Sequence, residues 1–230
     1  MSSAERVLVV APHPDDETIG VGGTIAKHAA AGDHVTVAIM TGHGSEEPHP
    51  IWAPEHWNVV NEEARRACAT LGVSEVIFAD LPAVVVADMP MWQLNKAAAA
   101  VVEQVGPTVL YVPFPHDLHK DHRELFHAFS VAWRTSSVAG RSIKLVSCYE
   151  VQSETHWNIP YVESGFLPDT WIDISEHVDT KNSALREYRS QMRPAPDARS
   201  LEAIGALSTW RGSQCNRRAC EAFVTVRRLL

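Results

Sequence analysis

Three short runs constrain this chain more than anything else in it. Arg6 to Ala11, His34 to Met40 and Thr108 to Val112 are apolar and rich in β-branched residues. The first shows no polar alternation, the pattern of a strand buried on both faces, as parallel sheets require. Helical stretches separate the runs. Thr18 to Ala31 is alanine-rich and closes at Gly32, Asn61 to Leu71 closes at Gly72, and Met91 to Val105 ends at Gly106-Pro107. Arg123 to Trp133 spaces Leu125, Phe126, Phe129 and Trp133 at helical intervals. Glu75 to Ala79, Lys144 to Val151 and Thr170 to Ile174 read as further strands. Helices are expected over Glu176 to Met192, Ser200 to Trp210 and Arg218 to Leu229.

Alternation of this kind predicts an α/β protein with a Rossmann-like, doubly wound, mostly parallel sheet. Three layers, α/β/α, with a helical C-terminal third are expected, in one domain over residues 1–230. A chain of 230 residues that is 45% apolar and 21% charged suits one sizeable core.

Composition narrows the function classes. Met1 to Arg6 lacks the charged-then-apolar layout of a secretion signal, and no apolar stretch approaches membrane-spanning length. A cytoplasmic protein with no membrane partner is expected. A formal charge of -8 without a basic cluster argues against nucleic acid; Arg217-Arg218 and Arg227-Arg228 read as a solvated helix face. Cysteines at 68, 148, 215 and 220 form no Cys-x-x-Cys pair and read as reduced, packed thiols. A homo-oligomer stays open.

The first run stops abruptly in Pro12-His13-Pro14-Asp15-Asp16-Glu17, one imidazole and three carboxylates in a proline-bracketed turn before a helix. Thr108 to Val112 is stopped by Pro113, just before His116-Asp117-Leu118-His119-Lys120-Asp121-His122. In open parallel sheets ligands bind beyond the carboxyl ends of the strands. If the two loops meet there, His13, Asp16 and His122 supply the two imidazoles and one carboxylate of a catalytic zinc site that keeps a position for water. Such a metal lowers the pKa of its water to about 7 and polarises a carbonyl. Asp15 is then free to act as general base. His119 could stabilise an oxyanion or protonate a departing amine, with an oxyanion donor contributing on the order of 10² to 10³ in rate. Asp121 would hold and charge His119. Together these residues describe metal-assisted hydrolysis of an amide or ester. Fe(II), Co(II) or Mn(II) would suit the same ligands.

Blander roles compete. Aspartates at a helix start often cap free N–H groups, which is the alternative for Asp15 or Asp16. His28, His34, His127, His156 and His177 are read as ordinary packed or surface groups, and Asp117 as fixing its loop. Glu17 is open between helix-dipole partner and substrate contact. Ser45 to His56 reads as an irregular lid or substrate wall; Trp52 and Trp57 could stack on a sugar, although tryptophan is more often core. Gly20-Val21-Gly22-Gly23 suggests a dinucleotide site, but Asp15-Asp16-Glu17 would repel a pyrophosphate.

His13-Pro14-Asp15-Asp16-Glu17 and Asp117-Leu118-His119-Lys120-Asp121-His122 resemble the two motifs of the zinc-dependent N-acetylglucosaminyl deacetylases of the PIG-L/LmbE type. Lys181-x-x-Ala184-Leu185-x-x-Tyr188-x-Ser190-Gln191, Arg199-Ser200-x-Glu202, Arg211-Gly212-Ser213 and Ala219 to Phe223 look like its later signatures. The resemblance implies zinc on His13, Asp16 and His122, Asp15 as general base and His119 as helper of the oxyanion and leaving group. Departures touch substrate contacts. Thr41-Gly42-His43-Gly44 is neutral where the family is usually acidic, with Glu46-Glu47 only later; Asn61 replaces a frequent arginine and Asp197 a frequent histidine. The expected substrate is a small N-acyl amino sugar, such as a soluble glycoside, thiol-cofactor or antibiotic precursor. An amidase of a larger N-acyl conjugate and a non-catalytic carbohydrate-binding protein are the rivals.

Overall fold

A computed structural model describes residues 4–44, 51–159 and 161–230. Seven strands form one sheet: β1 (Arg6–Ala11), β2 (His34–Gly42), β3 (Glu75–Pro82), β4 (Val109–Pro113), β5 (Leu145–Tyr149), β6 (Thr170–Asp173) and β7 (Cys220–Arg228). Their order is β3-β2-β1-β4-β5-β7-β6. β3, β2, β1, β4 and β5 run parallel, and β7 enters antiparallel between β5 and β6. The helices are α1 (Asp16–Ala30), α2 (Pro54–Leu71), α3 (Met91–Val105), α4 (Lys120–Ala132), α5 (Val138–Ser142), α6 (Val178–Glu187) and α7 (Leu201–Ser213).

The apolar runs are unbroken because both sheet faces are covered. Val7, Val9 and Val37 pack under Ile25, Leu71, Leu185 and Ile204, which come from α1, α2, α6 and α7. Leu8, Val10 and Leu110 face the other way, toward Leu94 of α3 and Phe129 of α4. This is the doubly wound, three-layer arrangement expected. The central order matters most for function. β1 lies between β2 and β4, so connections on its two sides leave in opposite directions and open a crevice at the carboxyl end of β1 and β4. Both polar turns emerge there.

Two expectations fail. Arg218 to Leu229 is not a helix but strand β7, so the C-terminal third is only partly helical. Cys220, Glu221, Ala222 and Phe223 are all buried, because β7 is clasped between two strands and covered on its faces at that end. Without a period of two in that half, Ala219 to Phe223 looks helical from sequence. The second failure is at α2, which begins at Pro54 rather than Asn61. Proline occupies its first turn, where the missing N–H costs nothing. Trp57, Val60, Ala64, Ala67, Cys68 and Leu71 are then one buried stripe at helical spacing. Residues 45–50, with Glu46 and Glu47 of the supposed lid, lie outside the described residues.

The glycines after the acidic turn also find their explanation in packing. Gly20 to Gly23 lie inside α1, and a Cβ on Gly23 would meet three Ile174 side-chain carbons at 2.7–2.8 Å. They permit close approach of helix and sheet, not a phosphate loop. Among the described residues no helix is long and apolar enough to cross a membrane.

Candidate active site

β1 delivers the first turn. Asp15 stands at the N-cap of α1 with φ of 118°, and its side chain makes no capping hydrogen bond. Its carbonyl instead accepts the N–H groups of Thr18 and Ile19, at 3.0 and 2.9 Å. The capping role is therefore excluded for the Asp15 carboxylate, which is buried and facing the crevice. Asp16 folds back, its Oδ2 accepting the His13 backbone N–H at 2.8 Å.

β4 delivers the second turn. His119 is the N-cap of α4, its Nδ1 accepting the Asp121 N–H at 3.2 Å, and His122 follows in the first helical turn. Asp117, Asp121 and His122 are fully buried. The two turns meet: the His13 ring centroid is 4.5 Å from that of His119 and 5.3 Å from that of His122.

At the meeting point Asp16 Oδ2 lies 3.3 Å from His13 Nδ1 and 3.2 Å from His122 Nε2. Bonds of about 2.0–2.2 Å to a tetrahedral cation set neighbouring ligand atoms roughly 3.3–3.5 Å apart. His122 Nε2 and Asp16 Oδ1 are buried without a hydrogen-bond partner, an arrangement that costs free energy unless something is bound. The far sides of both rings are occupied. Asp117 Oδ2 is 2.8 Å from His122 Nδ1 and Asp121 Oδ2 is 3.0 Å from His13 Nε2. Each carboxylate pairs with a ring N–H, leaving the other nitrogen's lone pair directed at the shared centre. The donor set fits a divalent cation on these grounds.

A second set, His13, His119 and Asp121, also has its donor atoms within reach of one another. It fits less well. Asp121 Oδ2 already accepts from His13 and from the Val84 N–H at 2.7 Å, and His119 Nδ1 already accepts the Asp121 N–H. Asp121 is thus a partner of His13 first; its other oxygen stands 4.0 Å from His119 Nδ1. The expectation that Asp121 holds His119 through its carboxylate is corrected to that extent, and Asp117 does more than fix its loop.

Sequence reasoning left the role of Arg199 open and missed Val84. Arg199, at the far end of the chain, places Nη1 3.2 Å from Asp15 Oδ2. Burial pushes the Asp15 carboxyl up to about 7, against the pull of that guanidinium. Burial and the neighbouring His13 press His119 down to about 4. Val84 reaches the site from the loop after β3 with φ of 62°, which aims its amide at Asp121. No pattern in the sequence signals either contact. Glu17 is turned inward, bonded to Tyr188 Oη and Thr18 Oγ1 at 2.6 Å, so it braces the turn rather than facing a substrate. His28 and His156 are satisfied by Asp33 and Glu150, in keeping with their reading as packed groups. A 290 Å³ cavity opens over His13, Asp15 and His119, walled by Trp52, Trp57 and Arg199. Trp57 is buried, whereas Trp52 is 40% exposed and stacks on His56.

Comparison with known proteins fits this geometry. Residues 8–133, which contain both turns, match the family PIG-L, described as GlcNAc-PI de-N-acetylase. This chain belongs to the PIG-L family. A 1D-myo-inositol 2-acetamido-2-deoxy-alpha-D-glucopyranoside deacetylase of Thermobispora bispora is 33% identical over 240 residues, covering 81% of this chain and 79% of that protein. Among solved structures, a conserved protein of Thermus thermophilus superposes with a TM-score of 0.76 at 25% identity, covering 98% of this chain and 96% of its own. A 4-carboxy-2-hydroxymuconate hydratase of Pseudomonas putida has a TM-score of 0.74 at 22% identity, covering 97% of each chain. The fold alone therefore does not select the reaction.

Proposed function

We propose that this chain is a metal-dependent N-deacetylase that hydrolyses the acetamide of a small N-acetylglucosamine-type sugar in the cytoplasm. The observation that carries the reading is the convergence of His13 Nδ1, Asp16 Oδ2 and His122 Nε2 beside a buried Asp15 carboxylate paired only with Arg199 among the described residues, under a ligand-sized cavity. His13, Asp16 and His122 would hold the ion, zinc by preference, with Fe(II) or Co(II) able to use the same ligands. When bound, a divalent ion supplies Lewis acidity at the acyl oxygen and acidifies water.

The remaining work falls to the chain's own groups. Asp15 accepts the proton of the attacking water, and its raised pKa brings it close to neutral pH, where a general base serves best. Arg199 fixes the Asp15 carboxylate at one oxygen. His119 faces the same space from the N-cap of α4 and, as a neutral imidazole, donates to the developing oxyanion, while the proton that Asp15 took from the water passes on to the departing amine. Asp121 and Asp117 hold the tautomers of His13 and His122. Trp52 and Trp57 line the wall on which a sugar ring would stack.

The test is release of acetate from a panel of N-acetylated amino sugars, with and without chelator. Stoichiometric acetate and free amine, abolished by chelation and restored by zinc, are expected. No release with any divalent metal, while the sugar still binds, would leave a carbohydrate-binding protein instead.

A further inference from the structure

A cavity of 710 Å³, larger than the one over the candidate active site, lies elsewhere in the molecule. Its walls are the last turns of α1, Tyr111 of β4, Trp171 of β6 and the turn from α7 into β7. In that turn Cys215 is exposed and Cys220 is buried, both reduced, with their sulfurs 3.5 Å apart. Both side chains line the cavity.

The turn is held firmly enough to keep the pair together. Cys215 and Arg217 donate backbone N–H groups to the Gly212 carbonyl, at 3.1 and 2.9 Å. A Cβ on Gly212 would meet the Arg217 carbonyl oxygen at 2.6 Å, so the chain folds tightly back on itself there. The Cys215 S–H donates to the Arg211 carbonyl at 3.6 Å. Two sulfurs in van der Waals contact, one open to solvent and one behind it, have the layout of an attacking and a resolving thiol. The surroundings select a partner by charge. Arg217 pairs with the Asp173 carboxylate at 3.1 Å, and Lys27 donates to the Asp173 carbonyl at 2.9 Å, so Lys27 supplies the one net positive charge of the wall on a chain of net charge -8.

We propose that Cys215 and Cys220 form a thiol–disulfide exchange site for a small anionic disulfide entering this cavity. The Cys215 thiolate attacks one sulfur of the small disulfide, forming a mixed disulfide and releasing one thiolate of the reagent. Cys220 then loses its proton and attacks Cys215 Sγ, forming the Cys215–Cys220 bond and releasing the second reagent thiolate. The two protein thiols are oxidised, the reagent disulfide is reduced to two thiols, and the two protons end on them. Burial, with Cys215 beside it, pushes the Cys220 thiol up to about 12, so the second step is the slower one. Cys68 and Cys148 are buried elsewhere and take no part.

The experiment exposes the reduced full-length protein to oxidised glutathione and follows intact mass and peptide maps. The wild type should lose two hydrogens, with Cys215 linked to Cys220 and full reversal by dithiothreitol. Cys220→Ser and Cys220→Ala should retain a glutathionyl adduct on Cys215, and Cys215→Ser should stay unmodified. Oxidation should run several-fold faster with oxidised glutathione than with the cationic disulfide cystamine. The proposal is overturned if the folded wild type stays reduced while the urea-unfolded chain reacts. It is equally overturned if the adduct on wild-type Cys215 never resolves, or if cystamine reacts as fast. The readout is independent of acetate release, so it stands or falls apart from the deacetylase reading.

Discussion

Helix α1 meets buried charge in two places, and the two are built differently. Midway along it, Lys181 and Glu221 pair at 2.6 Å. Glu221 also accepts the N–H groups of Gly23 and Thr24, at 2.8 and 2.7 Å, while Lys181 donates to the Ile19 carbonyl at 2.8 Å. Ile19 is the residue four before Gly23, so the ion pair is worked into one turn of the helix. Every charge there has its counterpart. At the start of α1, by contrast, the Asp16 carboxylate faces Asp117 across His122 and Asp121 across His13, and His122 Nε2 and Asp16 Oδ1 are left without hydrogen bonds. A cluster complete in itself needs no further partner; one that keeps directed lone pairs unpaired is the candidate site that the proposed function gives to a divalent cation. On the proposed function the first is scaffold and the second is site.

Substitutions separate the two. His122→Ala has the largest effect: metal content of the purified protein should fall to background by elemental analysis, and acetate release to the level of the chelated protein. Asp15→Asn should keep the metal yet lose on the order of 10² to 10⁴ in turnover, the usual share of general-base catalysis. Loss of metal in that variant would move Asp15 into the ligand set. Lys181→Ala should cost about 3–5 kcal/mol of stability in urea unfolding, because it strands a buried carboxylate, and leave the metal content of the folded protein unchanged. Loss of metal without loss of stability would dissolve the distinction between scaffold and site. Asp117→Asn, which keeps the shape and removes the charge behind His122, should weaken metal binding by about 10–100-fold in competition with a chelator, with little change in unfolding.

How far the sequence can be read depends on the range of the forces involved. Strands buried on both faces announce themselves wherever their runs are unbroken, so β1, β2 and β4 and the helices between them are legible. β7 is not, since its buried half alternates no more than a buried helix would. The start of α2 was hidden for another reason: Trp57 looks like a loop aromatic until Pro54 is taken as a first-turn residue and the stripe through Leu71 is counted from there. Within the site, His13, Asp15, Asp16, His119 and His122 stand out because several polar groups are confined to strand ends that have no structural use for them. Their neighbours do not.

What the sequence determined by itself is the chemistry at each strand end, because a proline-bracketed turn concentrates its donors within a few residues and their spacing is local. Which groups meet was decided only by the tertiary structure. Asp121 turned to His13, Asp117 to His122 and Arg199 to Asp15, and the last two residues come together across most of the chain. Pairings of that kind follow from sheet order and the route of the connections. No residue's immediate surroundings in the sequence encode them.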